Sequence, residues 1–162
     1  MSIIIGLIGV IVGAVLASWL ARGRAVKEAR VRHTLNLVEE FHSREMLIAR
    51  NVAKAALTSE KSQSLTIEDR QALGGEDWIA ITMMLHYFDK VEVMLETRWV
   101  EFKLLDRLLG RYIRIWGTKY LDLNHLLDHS DWHGLRASIE QLNRRFESSS
   151  DNAISTQITA AG

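Results

Sequence analysis

From Ile3 to Ala21 the chain runs 19 residues without a charged side chain: Ile-Ile-Ile-Gly-Leu-Ile-Gly-Val-Ile-Val-Gly-Ala-Val-Leu-Ala-Ser-Trp-Leu-Ala. As a helix rising about 1.5 Å per residue, the run measures roughly 28 Å, close to the ~30 Å hydrocarbon thickness of a bilayer. A core helix of a soluble domain keeps a polar face, and this segment has none. The run therefore predicts a transmembrane helix. Trp19 falls at its far end, where an indole prefers the headgroup boundary.

Arg22, Arg24, Lys27, Arg30 and Arg32 follow, opposed only by Glu28, and nothing positive precedes the run. A cleaved signal peptide carries its basic residues before the apolar stretch, whereas here they come after it. The distribution predicts an N-terminus outside the cell membrane and a cytoplasmic remainder from Arg22 onward. Within the span Gly9, Gly13 and Ala17 recur every fourth residue. Such a small-residue stripe lets a second helix approach closely, which makes self-association or a membrane-protein partner the expectation.

Charge follows the same geography. The formal net charge is zero, but residues 21–57 hold 8 Lys/Arg against 4 Asp/Glu, and residues 58–162 hold 12 against 16. A neutral chain with a basic neck is not a nucleic-acid-binding profile, and the positive charge lies where a lipid bilayer would meet it. Cysteine is absent, which excludes disulfides, thiolate metal sites and Cys nucleophiles together. Proline is absent as well, so helices run without their commonest breaker.

Beyond the span the apolar residues fall at helical spacing. Residues 25–57 read as one long helix, with Val26, Ala29, Leu37, Phe41, Ile48, Val52 and Ala55 apolar. The first part is a stalk or coiled coil, and Leu37 onward packs into a domain. Polar residues 58–65 form a loop. Thr66 and Asp69 mark a short helix start that ends at Gly74 and Gly75.

Glu76 and Asp77 then open a helix whose stripe is Trp78, Ile81, Leu85, Phe88, Val91 and Leu95. The pattern loses phase between Glu96 and Trp99, which predicts a tight turn. The next helix carries Phe102, Leu105, Leu109, Tyr112 and Trp116, ending near Gly117. Ser130 and Asp131 cap a last helix with Trp132, Leu135, Ile139, Leu142 and Phe146 as its stripe.

The expected architecture is all-α, an N-terminal transmembrane helix continuing into a small antiparallel helical bundle. Its segments are the anchor over 1–21, a basic juxtamembrane stalk over 22–36, a cytoplasmic bundle over 37–147 and a disordered tail over 148–162.

The helix Ile81-Thr-Met-Met-Leu-His-Tyr-Phe-Asp-Lys-Val-Glu92 is followed, after a turn, by Leu104-Leu-Asp-Arg-Leu-Leu-Gly-Arg-Tyr-Ile-Arg-Ile-Trp116. With the N-terminal anchor, this resembles an uncharacterised bacterial family of membrane-anchored helical proteins, catalogued as domain of unknown function 4760. The likeness covers roughly residues 35–147, with Phe88, Glu92 and Trp116 at its marker positions. It implies a bacterial membrane setting and no activity.

Few side chains suggest chemistry. Glu39 and His42 share a helix face at i, i+3, as in carboxylate-bridged metal bundles, and a working site would need Glu92 and further ligands to converge on them. Asp122, His125, Asp128 and His129 are the nearest substitutes, and His86 with Asp89 forms another pair. Glu92 lies near the apolar phase of its helix, so a buried ion pair is expected, with Arg111 the first choice of partner and Arg114 or Lys119 the others. Arg107, Arg111 and Arg114 share one helix side, read as a solvated face. Trp99, set in the predicted turn between charged neighbours, is the candidate partner anchor. No phosphate loop, nucleophile elbow or His-Glu-x-x-His motif occurs.

The sequence thus points to a membrane-tethered helical protein-interaction module at the inner face of a bacterial membrane. No catalytic activity, cofactor or small-molecule substrate is indicated. Two alternatives stand beside it. One is a metal-binding or catalytic bundle using Glu39, His42 and Glu92. The other is an accessory subunit of a larger membrane complex, which an exposed apolar stripe over residues 25–57 would favour.

Overall fold

A computed structural model describes residues 2–58, 75–120 and 133–160, with side chains over 17–58, 75–120 and 134–148. Among these residues the chain is all helix, without a strand. The helices are α1 (Ser2–His42), α2 (Arg44–Thr58), α3 (Gly75–Glu96), α4 (residues 102–120) and α5 (His133–Ala160).

Helix α1 contains 41 residues and is about 61 Å long at 1.5 Å per residue. Every residue from 17 to 29 is exposed, and the first fully buried side chain is Thr34. The helix thus runs well clear of the bundle before it enters it. Among the described residues no helix is long and apolar enough to cross a membrane. The uncharged run falls mostly on positions whose side chains lie outside the described residues, Gly9 and Gly13 among them.

Residues 25–57 do not form the single helix that their spacing predicts, because the chain breaks at Ser43. The Ser43 hydroxyl accepts the Met46 N–H at 3.2 Å, and its carbonyl accepts the Leu47 N–H at 2.9 Å, so Ser43 caps α2. The break resets the helical phase. Met46, Ala49 and Ala53 are buried, whereas Ile48 is 54% exposed, Ala55 is exposed and Val52 is half-buried.

Helix α3 is the centre of the bundle and packs chiefly on α2 and α5. Ile81, Leu85, Phe88, Val91 and Leu95 are buried as the periodicity predicts, joined by Ala80, Met84 and Tyr87. Ala53 and Ala80 are both small and buried, which lets α2 and α3 approach closely. Each fully buried Leu, Ile or Phe contributes about 1.5–3 kcal/mol relative to exposure.

The turn after α3 is a Schellman motif: the Trp99 N–H donates to the Met94 carbonyl and the Arg98 N–H to the Leu95 carbonyl. Arg98 takes the left-handed conformation at φ 58° that such a turn requires. Thr34 of α1 ties this turn to the bundle. Its hydroxyl donates to the Arg30 carbonyl at 2.8 Å and accepts the Glu101 N–H at 2.9 Å. That bond satisfies a backbone donor at the start of α4 which has no partner within the helix.

Helix α4 contains two π-helical turns, Asp106–Gly110 and Trp116–Tyr120, on either side of the α-helical turn Arg111–Ile115. A π turn inserts one extra residue into the helical count. The core stripe is accordingly Leu105, Leu109, Ile113 and Trp116, and Tyr112, expected inside, is 43% exposed.

Ile139, Leu142 and Phe146 of α5 close the core. The α5 backbone runs to Ala160. Between Gly134 and Gly162 the segment has no glycine or proline to stop it. The expected short helix at Thr66, the cap at Ser130 and Asp131, Trp132, and the Asp122-to-His129 cluster lie outside the described residues.

Candidate functional site

Two surfaces of the chain stand out as candidate sites. The first is the free stretch of α1. Trp19 is 74% exposed, Leu20 59% and Val26 46%. Arg22, Arg24, Lys27 and Arg32 are also exposed, and Arg30 is half-buried where the helix nears the bundle. None of these five cations is held in an ion pair among the described residues. An uncompensated cationic helix with apolar side chains at one end is suited to a surface that is anionic above and apolar below.

The second surface is an open groove of about 470 Å³ between α1, α2 and α3. Met46, Trp78, Ile79, Met83 and Tyr87 form its mainly apolar walls, and Glu40, Thr82, His86 and Lys90 supply polar edges. Glu40 and Lys90 pair at 2.7 Å, a well-solvated contact worth under about 1 kcal/mol. The Thr82 hydroxyl is buried without a hydrogen-bond partner among the described residues.

Beneath the groove the Tyr87 hydroxyl donates to the Leu37 carbonyl of α1 at 2.9 Å. Burial pushes the Tyr87 phenol well above its usual range; the Glu40 charge adds to this and Arg50 partly offsets it. Tyr87 thus stays a neutral donor at any physiological pH. Sequence periodicity places Met83 and Ile79 off the core phase of α3. It does not show that they meet Met46 across a helix interface, because that depends on how α2 docks.

An aromatic cluster adjoins this region. Phe41 lies 5.3 Å from the Tyr87 ring and 5.4 Å from Tyr112, and the Arg50 guanidinium sits 4.3 Å over the Phe41 ring. That placement is a cation–π contact. Arg50 Nη1 is buried without a hydrogen-bond partner among the described residues.

The carboxylate of Glu92 is 2% exposed and accepts a 2.9 Å hydrogen bond from Nε of Arg145 on α5. Arg111, the partner expected from sequence, is exposed on α4 and does not take that place. Arg114, the second choice, bonds instead to Asp106 at 2.8 Å and to the Phe146 carbonyl at 3.3 Å. Burial raises the Glu92 pKa; the charge and hydrogen bond of Arg145 oppose the rise, and Glu96 adds to it.

Glu39 and His42 are exposed on α1, and His42 Nδ1 lies 2.8 Å from the Val38 carbonyl oxygen. A carbonyl only accepts, so Nδ1 carries a proton there. Glu92, tied to Arg145 inside the bundle, does not join them. Among the described residues no three His, Asp or Glu side chains gather to hold a metal ion. Trp99 is 58% exposed, and its ring rests against His33 of α1 at 5.4 Å.

The bundle therefore offers an apolar groove and a cationic rod, and its buried carboxylate is sealed in an ion pair. Comparison with known proteins adds no family to this picture: no family model, curated protein or solved structure matches the chain.

Proposed function

We propose that the chain is a membrane-tethered helical interaction module, anchored through the uncharged run Ile3–Ala21, with its bundle at the cytoplasmic face of a bacterial membrane. The observation that carries this reading is the free stretch of α1. A continuous helix leads from the uncharged run into the bundle, and its residues 17–29 are all exposed. Trp19, Arg22, Arg24 and Lys27 are thereby left exposed in the order an interface needs: apolar residues first, then the aromatic belt, then positive charge. The groove beside Ile79 and Met83 is the bundle's surface for a partner in this reading.

A second reading, an accessory subunit of a larger membrane complex, draws support from Leu35, Leu47 and Ile48. These are 49%, 45% and 54% exposed on α1 and α2 and form apolar surface beyond what the bundle uses.

The test is topology in a bacterial host, with paired reporters fused after Phe146. One is active only in the cytoplasm and the other only after export. Resistance to carbonate extraction with only the cytoplasmic reporter active is the expected result. Activity of the exported reporter, or release into the soluble fraction, overturns the proposal.

A further inference from the structure

We infer that residues 22–32 form a collar that recognises anionic phospholipid headgroups around the whole circumference of α1. This rests on the anchored reading above. At about 100° per residue, Arg22, Arg30, Lys27, Arg24 and Arg32 project at roughly 0°, 80°, 140°, 200° and 280° around the helix. Successive directions are only about 60–80° apart, so no side of the rod lacks a cation. Glu28 is the single acid among them.

This distribution selects the partner. A helix lying flat on a membrane segregates its cations to one face and buries the opposite, apolar one. A nucleic acid is a rod and meets the helix on one side, so it reaches two or three of the five charges at once. A headgroup layer through which the helix passes end-on surrounds it and reaches all of them. The exposed Trp19 and Leu20 immediately before the collar match the apolar edge of such a layer.

Distances along the axis agree. Arg22, Arg24 and Lys27 lie within about 7.5 Å of one another along the helix, comparable to the roughly 5–8 Å headgroup region of one leaflet. Arg30 and Arg32 lie about 12–15 Å beyond Arg22, where surface potential decays over a Debye length of about 8 Å. Helical side chains lean toward the N-terminus, here toward the membrane, which brings the outer pair closer to it. The inner three, at roughly 0°, 140° and 200°, sit within the headgroup layer, and Arg30 and Arg32 fill the two wide gaps between them from its outer edge.

Gly23 offers a direct readout. The chain has no cysteine, and a Cβ at Gly23 meets nothing within 4 Å, so Gly23→Cys gives one clean labelling position inside the collar. The full-length labelled chain is reconstituted into phosphatidylcholine vesicles containing phosphatidylglycerol. Quenching of the probe by headgroup-spin-labelled phosphatidylglycerol is compared with quenching by the equivalent phosphatidylcholine. The expected result is flotation with the vesicles and about fivefold preferential quenching by the anionic lipid, the scale of one charge's attraction to an anionic surface. The preference falls to near one when Arg22→Gln, Arg24→Gln and Lys27→Gln are combined, and flotation persists.

Flotation with equal quenching by both lipids overturns the collar and leaves the anchor standing. Failure to float with the vesicles overturns the anchor, and the collar with it. Loss of the preference on adding a short DNA duplex of equal charge reassigns the cations to a nucleic acid.

Discussion

Glu92 on α3 and Arg145 on α5 are joined by a single 2.9 Å hydrogen bond, with the Glu92 side chain 2% exposed and the Arg145 side chain 37% exposed. The second carboxylate oxygen, Oε2, has no hydrogen-bond partner among the described residues. One charge-assisted bond thus answers the burial of a full negative charge, and the pKa of Glu92 remains raised in spite of it. Helix α5 is held to the centre of the bundle partly by an ion pair whose acidic member is better tolerated protonated.

Arg145→Ala leaves that carboxylate buried and alone. The Arg145 side chain is 37% exposed and lets water approach, so the loss lies near the low end for a buried pair, about 3 kcal/mol. Chemical denaturation of the full chain in detergent at neutral pH measures it. Glu92→Gln, which removes the buried charge and keeps a carbonyl acceptor for Arg145, costs much less.

The same pair sets a pH dependence. The folded pKa of Glu92 is raised above its ordinary value of 4.5, so the folded state binds this proton more tightly than the unfolded chain. The favourable contribution is complete below pH 4.5 and is lost as pH rises through the folded pKa. Relative to Glu92→Gln, the natural chain therefore gains stability as pH falls from neutral toward 4.5. Denaturation midpoints of the two proteins measured in parallel across this window check the sign, and parallel curves refute it.

Gly117 packs against the side chain of Asn143, and an added Cβ would overlap the carboxamide. Gly117→Ala therefore forces α4 and α5 apart or displaces Asn143, costing about 1–2 kcal/mol despite the better helix propensity of alanine. Adding Asn143→Ala restores most of the loss, because the two changes share one contact. A double-mutant cycle by thermal unfolding reads the coupling.

Arg98 holds a left-handed conformation at φ 58° in the turn after α3. Glycine adopts that conformation without the Cβ penalty, so Arg98→Gly raises stability by about 0.5–1 kcal/mol. The hydrogen bonds of Arg98 and Trp99 to the end of α3 are retained. Scanning calorimetry gives the change as a rise of a few degrees in Tm.

Thr34 lies where the projecting part of α1 enters the bundle. Thr34→Val keeps the shape but removes the acceptor for the Glu101 N–H, costing about 1–3 kcal/mol for a buried donor left unmade. Thr34→Ser retains the bond and loses only a methyl group. Amide hydrogen exchange at Glu101 separates the two, rising sharply in the valine variant alone.

Much of the bundle is legible along the chain. The five core residues of α3 from Ile81 to Leu95 follow directly from spacing, as do the end of that helix at Glu96 and the stripe Ile139, Leu142 and Phe146. Periodicity read along one helix states which side of it is apolar, and packing uses that side. The reading fails where the local count changes. The cap at Ser43 rotates α2 so that Ala49 and Ala53 face the core in place of Ile48 and Ala55, and alanines carry too little hydrophobicity to announce this. The π turn at Asp106–Gly110 replaces Tyr112 with Ile113 in the same way.

The candidate surfaces divide along the same line. The uncharged run, Trp19 and the five cations are properties of consecutive residues, so their order, and their directions around a continuous helix, are legible along the chain. That residues 17–29 stand clear of the bundle was decided by where α1 meets the turn between α3 and α4, His33 against Trp99 and Thr34 against Glu101. The tertiary structure alone chose Arg145 over Arg111 for Glu92 and brought Met46 to the groove beside Ile79 and Met83. Those residues stand 33 to 53 positions apart in the chain. Their juxtaposition depends on the relative placement of whole helices, which the packing of the shared core sets and which no local pattern encodes.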